Sequence, residues 1–383
     1  MLDRLEVGGV EKIAIQQVTA LREIGHDAEL VVLREVGDGF EVFGDALAAI
    51  PVRILERRLP RPVRGAFAVP GFAFLQTFHL TYPAFARALV REREFDVLLA
   101  HGTYTCPTAF AIGRARKLPV AAFVWDPAYH VLSGRAYSDR PLRRFLPALL
   151  PAARRFDTWL ARRADLVVLG GTEFRGYLEA AGARRILVSY AAATPVERPH
   201  PAGERALEIL AVTAWKHGKK PERLLGLLAH AEGLKLVLAG AWLDSDFRAQ
   251  FERTVRRRGL EHRVELTGRL SEDALGERYA RARFVVQTWE SPGFGLSPLE
   301  AAARGTTFVA PRAQGSGEIF RHGRDGFFFD ANDDAELRAA VERLAQDADR
   351  ATEMGRSAWE HVRERHTWPI RAAELAAALE TLA

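Results

Sequence analysis

Residues 288–305 read TWESPGFGLSPLEAAARG and follow directly on the apolar run ARFVVQ at 282–287. That run has the length and the β-branched and aromatic content of a buried strand. Glycines at 293 and 295 then allow a tight turn and close approach of the backbone to a ligand. A helix is expected to start next, with Ser297 as N-cap, Pro298 at its first position and Glu300 at its third. The spacing S-x-x-E is also that of a capping box, so pattern alone leaves Glu300 as either a cap or a ligand-facing group. A strand, a glycine turn and a helix start together make the arrangement that holds a diphosphate on backbone N–H groups.

The pattern repeats at once. TTFVA at 306–310 reads as a second strand, and after it Gly315, Ser316 and Gly317 form another glycine loop ahead of Glu318 at a helix start. Two such loops after neighbouring strands exceed what capping requires. Working outward, ALEILAVTA (206–214), LKLVLAGA (234–241) and RVELTG (263–268) complete a strand series with helices between. An earlier series begins with a helix carrying Val10, Ala14, Val18 and Leu21. It continues through apolar segments at 28–33, 95–100 (FDVLLA), 118–125 (LPVAAFVW), 164–170 (ADLVVLG) and 184–190 (RRILVSY). Continuous apolar strands alternating with helices indicate parallel sheets covered on both faces. The proline-rich TPVERPHPAGE reads as a linker. The expected division is a first domain at 1–193, a linker at 194–204, a second domain at 205–365 and a C-terminal helix at 366–383. Ligands of such sheets bind beyond the carboxyl ends of the strands, so the fold class is α/β, two doubly wound parallel-sheet domains facing across a cleft. At the front, MLDRLEVGG offers at most a stub where such a domain normally opens with a strand, and the expectation is a first strand lost through a late start site.

Composition narrows the function. A chain of 383 residues suits two domains, and 48% apolar with 27% charged residues excludes collagen-like and disordered classes. The single cysteine, Cys106, precludes an internal disulfide and a cysteine zinc cluster and favours a reducing compartment. No charged-then-apolar leader opens the sequence. The uncharged stretch 65–86 has the length of a membrane span, but Pro70, Gly71, Gln76, His79 and Pro83 make it a loop with a buried helix. No G-x-G-x-x-G follows the first strand, and GKK at 218–220 lacks the flanking residues of a phosphate loop, which disfavours a dehydrogenase and a P-loop enzyme. The net charge of +5 matters only where concentrated. It concentrates at 51–65 (PVRILERRLPRPVRG) and 141–164 (PLRRFLPALLPAARRFDTWLARRA). These stretches read either as solvated faces or as surfaces for anionic lipid headgroups, and no nucleic-acid partner is expected.

Four segments in fixed order carry a resemblance: VTAWKHGKKPERLL (212–225), VELTGRLSEDAL (264–275), ESPGFGLSPLEAAARG (290–305) and GSGEIFRHGRDGFFFD (315–330). Over about residues 208–370 the chain resembles the donor domain of the family-four retaining glycosyltransferases, which have the two-Rossmann-domain GT-B fold. EVGGVEKIAIQQVTALREIGHDAELV at 6–31 is similar to that family's first Gly-Gly loop and helix. The resemblance implies transfer of a sugar from a nucleotide-sugar to a glycan or lipid-linked acceptor with retention of configuration and without a metal. Carried over by position, Glu300 holds the ribose hydroxyls and Lys219, with Lys216 nearby, neutralises the diphosphate. Gly293, Phe294, Gly295 and Leu296 form the donor loop, Gly315, Ser316, Gly317 and Glu318 lie near the sugar, and Gly8 and Gly9 lie opposite them. A C-terminal helix opening at Trp368 would cross back to the first domain.

Three positions depart from the family. Pro292 stands eight residues before Glu300 where the family has a glutamate, which shifts Glu290 into candidacy as a catalytic group. Ala214 replaces an arginine, and Lys216 or Lys220 would supply a point charge in place of a bidentate fork. Trp125 replaces a histidine, leaving Asp126, His130 and His101 as first-domain candidates, of which Asp126 and His130 join Glu290 in the catalytic set. Two rival readings follow from these departures: a catalytically silent nucleotide-sugar-binding scaffold and a nucleotide-sugar epimerase on the same fold. The expected location is cytoplasmic, with peripheral contact at the inner face of the membrane.

Overall fold

Each apolar run identified above forms a strand, and those in the middle of each sheet are apolar at nearly every position, as burial of both faces inside a parallel sheet covered by helices requires. The computed structural model describes residues 1–58, 95–133, 146–200, 204–288, 294–313 and 315–383. They cluster into two units, Met1–Tyr190 with Trp368–Ala383, and Ala191–Thr367.

In the first unit β1 (Leu30–Val32) pairs in parallel with β2 (Val52–Ile54). The strands β3 (Leu98–His101), β4 (Val120–Val124), β5 (Leu166–Leu169) and β6 (Ile186–Val188) form a four-stranded parallel sheet in that order. Residues 1 and 2 join the two. The Leu2 N–H donates to the Val31 carbonyl at 2.8 Å, Leu33 N–H to the Leu2 carbonyl at 2.9 Å, and His101 N–H to the Met1 carbonyl at 2.9 Å. The stub therefore occupies the position between β1 and β3 where the strand order reverses.

Side chains alternate across β4 as the strand period demands. Val120, Ala122 and Val124 pack with Leu160 and Ala161 of the helix Leu146–Arg163. Ala121 and Phe123 pack with Leu375 and Leu379 of the C-terminal helix Trp368–Glu380. A buried leucine of this kind contributes roughly 1.5–3 kcal/mol. β2 was not anticipated, since its residues were read as part of a basic surface stretch. Arg53 in that strand is instead paired with Glu29, Nε to Oε1 at 2.6 Å, and Arg57 donates through Nε to Glu35 at 2.8 Å. The rest of that stretch, and the whole of 65–86, lie outside the described residues. Among the described residues no helix is long and apolar enough to cross a membrane.

The second unit holds a six-stranded parallel sheet of β7 (Ala206–Val212), β8 (Lys235–Ala239), β9 (Val264–Gly268), β10 (Ala282–Val286), β11 (Thr307–Pro311) and β12 (Phe327–Phe329). Their spatial order is β12-β11-β10-β7-β8-β9. The chain runs outward from β7 through β8 to β9, then returns to β10 and runs outward the other way. The reversal falls between β7 and β10, where an open sheet of this type leaves its ligand crevice at the carboxyl ends. The proline-rich stretch at 194–204 clusters with this unit, where Val196 N–H donates to the Ala303 carbonyl and the Val196 carbonyl accepts from Trp359 Nε1, both at 2.9 Å.

Candidate functional site

Three loops leave the carboxyl ends of adjacent strands in the second unit, and each carries residues singled out above. After β7 the chain makes a short 3-10 turn, His217–Lys219, between exposed Lys216 and Lys220. Lys219 is half-buried, and burial, followed by the nearby charge of Lys216, lowers its ammonium to about 8. After β10 the described chain resumes at Phe294 and enters the helix Leu296–Ala302. After β11 comes the helix Gly315–Ile319, where Gly315 and Ser316 are buried and Glu318 is exposed.

These loops are bonded to one another. Ser297 Oγ donates to the Val212 carbonyl at the end of β7, 3.0 Å. The Ser316 N–H donates to the Phe294 carbonyl, 2.7 Å. Arg223 Nη1 donates to the Thr288 carbonyl just past β10, 2.7 Å. Gly317 must be glycine for this packing, since a Cβ there would lie 2.4 Å from the Arg312 carbonyl oxygen. The β7, β10 and β11 loops thus form one connected rim holding Lys219, Glu300 and Ser316. Glu290 and Gly293 lie outside the described residues.

The start of the Glu300 helix differs from expectation. Its N-cap is Gly295, with φ at 78°, not Ser297. The left-handed glycine begins the helix two residues early, so Leu296 is its first residue, Pro298 its third and Glu300 its fifth. Ser297 consequently spends its hydroxyl on β7 instead of a helix N–H, and no capping box forms. Glu300 Oε2 instead accepts from the hydroxyl of Tyr279 at 2.7 Å. Tyr279 was missed in the sequence, where it looks like one more core aromatic on the helix before β10.

In the first unit Gly8 is the N-cap and Gly9 the first residue of the helix Gly9–Glu23. Asp126 sits just beyond the carboxyl end of β4. It is largely desolvated, Oδ1 has no hydrogen-bond partner among the described residues, and burial pushes the carboxyl up to about 6. Trp125 stacks on Phe123 with ring centroids 4.2 Å apart and lies against Gly170, where a Cβ would come within 2.8 Å of the indole. His101 is buried behind it, stacked on Phe123 at 5.1 Å, and burial holds its imidazole well below the ordinary range. His130 lies on the next helix, Ala128–Ser133, with its ring packed against Phe174 at 4.7 Å and Tyr177 at 5.0 Å. That helix is capped from a distance by Asp157, which accepts from the Ala128 and Tyr129 N–H groups and from the Tyr177 hydroxyl.

Residues 196–361 match the family model described as glycosyl transferases group 1, and residues 8–192 match that of the glycosyl transferase 4-like domain. The second half of the chain belongs to the group 1 glycosyl transferases and the first half to the glycosyl transferase 4-like domains. It is 32% identical over 126 residues, 33% of this chain and 28% of the relative, to the D-inositol 3-phosphate glycosyltransferase of Corynebacterium kroppenstedtii. It is 30% identical over 125 residues, 31% of this chain and 32% of the relative, to a GDP-mannose-dependent alpha-(1-6)-phosphatidylinositol monomannoside mannosyltransferase of Mycobacterium tuberculosis. These matches span about a third of the curated relatives' own length. The fold is similar to that of Anabaena Alr3699/HepE in complex with UDP and glucose, with a TM-score of 0.74, 18% identity, and coverage of 100% of this chain and 98% of that one. Sucrose-phosphate synthase from Thermosynechococcus elongatus gives a TM-score of 0.73 at 17% identity, over 100% of this chain and 95% of that one. The GT-B architecture expected from the four segments is therefore the fold of this chain.

Proposed function

We propose that this protein transfers a sugar from a nucleotide-sugar to a glycan or lipid-linked acceptor, with retention of anomeric configuration. The observation that carries the reading is the connected rim on β7, β10 and β11, with Lys219 and Glu300 at the switch point of one sheet. In this reading Glu300 accepts hydrogen bonds from the ribose hydroxyls, while Lys219, assisted by Lys216, faces the diphosphate. Phe294, Gly295 and Leu296 shape the loop beneath the donor, and Gly315, Ser316, Gly317 and Glu318 lie near its sugar. As the sugar departs, negative charge grows on the diphosphate, and a preorganised ammonium stabilises that charge without calling on a metal. The first unit is assigned to the acceptor. Asp126, ionised above about pH 6, is the preferred group there for receiving the acceptor hydroxyl proton, ahead of His130 with its aromatic packing.

Support comes from the company the chain keeps: the relatives include enzymes named for GDP-mannose and for inositol acceptors, and the HepE structure holds UDP and glucose. Incubation with UDP-, GDP- and ADP-sugars is expected to give binding of at least one donor. Adding the acceptor should release nucleoside diphosphate and form a glycoside whose anomeric signal by NMR matches the donor's. Failure of every donor to bind or be hydrolysed would overturn the proposal.

A lipid-linked acceptor also suits the helix Leu146–Arg163. Its inner face buries Ala153, Asp157, Leu160 and Ala161, while Arg154, Arg155, Arg162 and Arg163 are exposed beside Leu149 and Trp159. Basic residues flanking exposed apolar ones favour anionic headgroups. The protein is expected to co-sediment with phosphatidylglycerol vesicles more than with phosphatidylcholine vesicles, and the Arg154→Glu/Arg155→Glu/Arg162→Glu variant to lose that difference. Equal sedimentation of wild type and variant would remove the membrane contact from the proposal.

A further inference from the structure

We infer that Tyr279 is a positioning residue for Glu300, its phenol fixing the carboxylate in the orientation that accepts the donor's ribose hydroxyls. The inference rests on the donor reading of Glu300 proposed above. Glutamate on a short helix has three rotatable side-chain bonds, and an unheld carboxylate would have to be ordered each time a nucleotide binds. Here the Tyr279 hydroxyl donates to Oε2 at 2.7 Å from a residue that is 1% exposed. A bond to a charged acceptor is among the stronger hydrogen bonds available.

The backbone that carries the phenol is itself held. The Tyr279 carbonyl accepts from Thr306 Oγ1 at 2.7 Å and from Arg205 Nη1 at 3.2 Å. A second guanidinium nitrogen of Arg205, Nη2, donates to the carbonyls of Arg304 and Gly305 at 3.0 and 3.2 Å, in the turn that ends the Glu300 helix. Buried Arg205 therefore ties the last turn of the Tyr279 helix, Glu272–Arg281, to the exit of the Glu300 helix. The Arg304 guanidinium adds a cation over the Tyr279 ring, 5.6 Å from its centroid. Burial and the neighbouring Glu300 charge raise the phenol far above its ordinary pKa, so it remains a donor at any working pH. The result is a carboxylate whose orientation is set before the nucleotide arrives.

The test compares UDP, GDP and ADP with their 2′-deoxy forms on wild type, Tyr279→Phe, Glu300→Ala and the double variant. Tyr279→Phe removes one oxygen and is expected to weaken binding of the preferred nucleotide about 10-fold, while kcat at saturating donor stays within about twofold. It should also erode the preference for the ribose over the deoxyribose form. In the Glu300→Ala background it should add nothing, because the two side chains act as one unit. The ribose-to-deoxyribose ratio is internal to each protein, so it is independent of the folded fraction. If Glu300→Ala loses that preference and Tyr279→Phe keeps it, the positioning role fails and the donor reading stands. If Glu300→Ala keeps it, or wild type binds none of the three nucleotides, the donor reading falls and the inference with it.

Discussion

Lys219→Ala is expected to lower kcat for sugar transfer by about 100- to 1,000-fold, the usual cost of deleting one preorganised group that stabilises transition-state charge. The expectation follows from place and burial together. Lys219 stands on the turn after β7, at the reversal of strand order, in a half-buried position where a cation is worth more than in bulk water. The same burial gives a pH signature. With its ammonium lowered to about 8, Lys219 is charged below that pH and neutral above it. Because kcat/KM reports ionisations of the free enzyme, it should fall about tenfold per unit above pH 8. Lys219→Arg, which stays charged, should flatten that alkaline limb even if its longer side chain lowers the plateau. Stability should move the other way. The folded pKa lies below the ordinary 10.5, so between 8 and 10.5 the unfolded chain binds more protons. The Lys219 contribution to stability of the free protein therefore rises with pH across the interval in which donor binding weakens. An alkaline limb of the same midpoint in Lys219→Arg would remove Lys219 from the diphosphate.

Glu300→Ala is the second large effect, and it divides into two measurable parts. Loss of a charged acceptor for ribose hydroxyls should weaken nucleotide binding by about 10- to 150-fold, from roughly 1.5–3 kcal/mol for a hydrogen bond to a charged group. The variant also strips the Tyr279 hydroxyl of its acceptor in a buried site, at a cost of about 1–3 kcal/mol in stability. Glu300→Gln separates the two. Its amide oxygen still accepts from Tyr279, so the melting temperature should stay near wild type while affinity falls. A glutamine variant that binds nucleotide as wild type does would show that the carboxylate charge is not used on the donor.

What could be read in advance depended on the range of the signal. Ten of the strands were legible because a run such as FVV at 284–286 or LVVL at 166–169 is apolar at every position, and only a sheet buried on both faces asks for that. β2 and β12 were not anticipated, because the first lies inside a basic stretch and the second at the end of the 315–330 segment, read there as loop and helix start. Arg53 added a false clue, since a charged residue inside a strand gives no sign that Glu29 waits across the pair. At the candidate site, Lys219, Glu300 and Ser316 were singled out by position, and they lie on the segments that follow the adjacent strands β7, β10 and β11. The helix start was not legible, because S-x-x-E describes a capping box only if the serine has the extended backbone of a cap, and Gly295 had already turned the chain. The link from Tyr279 to Glu300 spans 21 residues and two helices, and no local pattern records it.

The C-terminal helix has a consequence for synthesis. Leu375 and Leu379 cover Ala121, Phe123, Leu166 and Val168, yet the chain completes all of the Ala191–Thr367 unit before these leucines are made. As the polypeptide leaves the ribosome, the first unit must wait with these four residues lacking their leucine cover while the second, continuous unit is free to fold. The first unit to be translated is thus the last to be finished, and its apolar face is the place where a holdase chaperone would find its client.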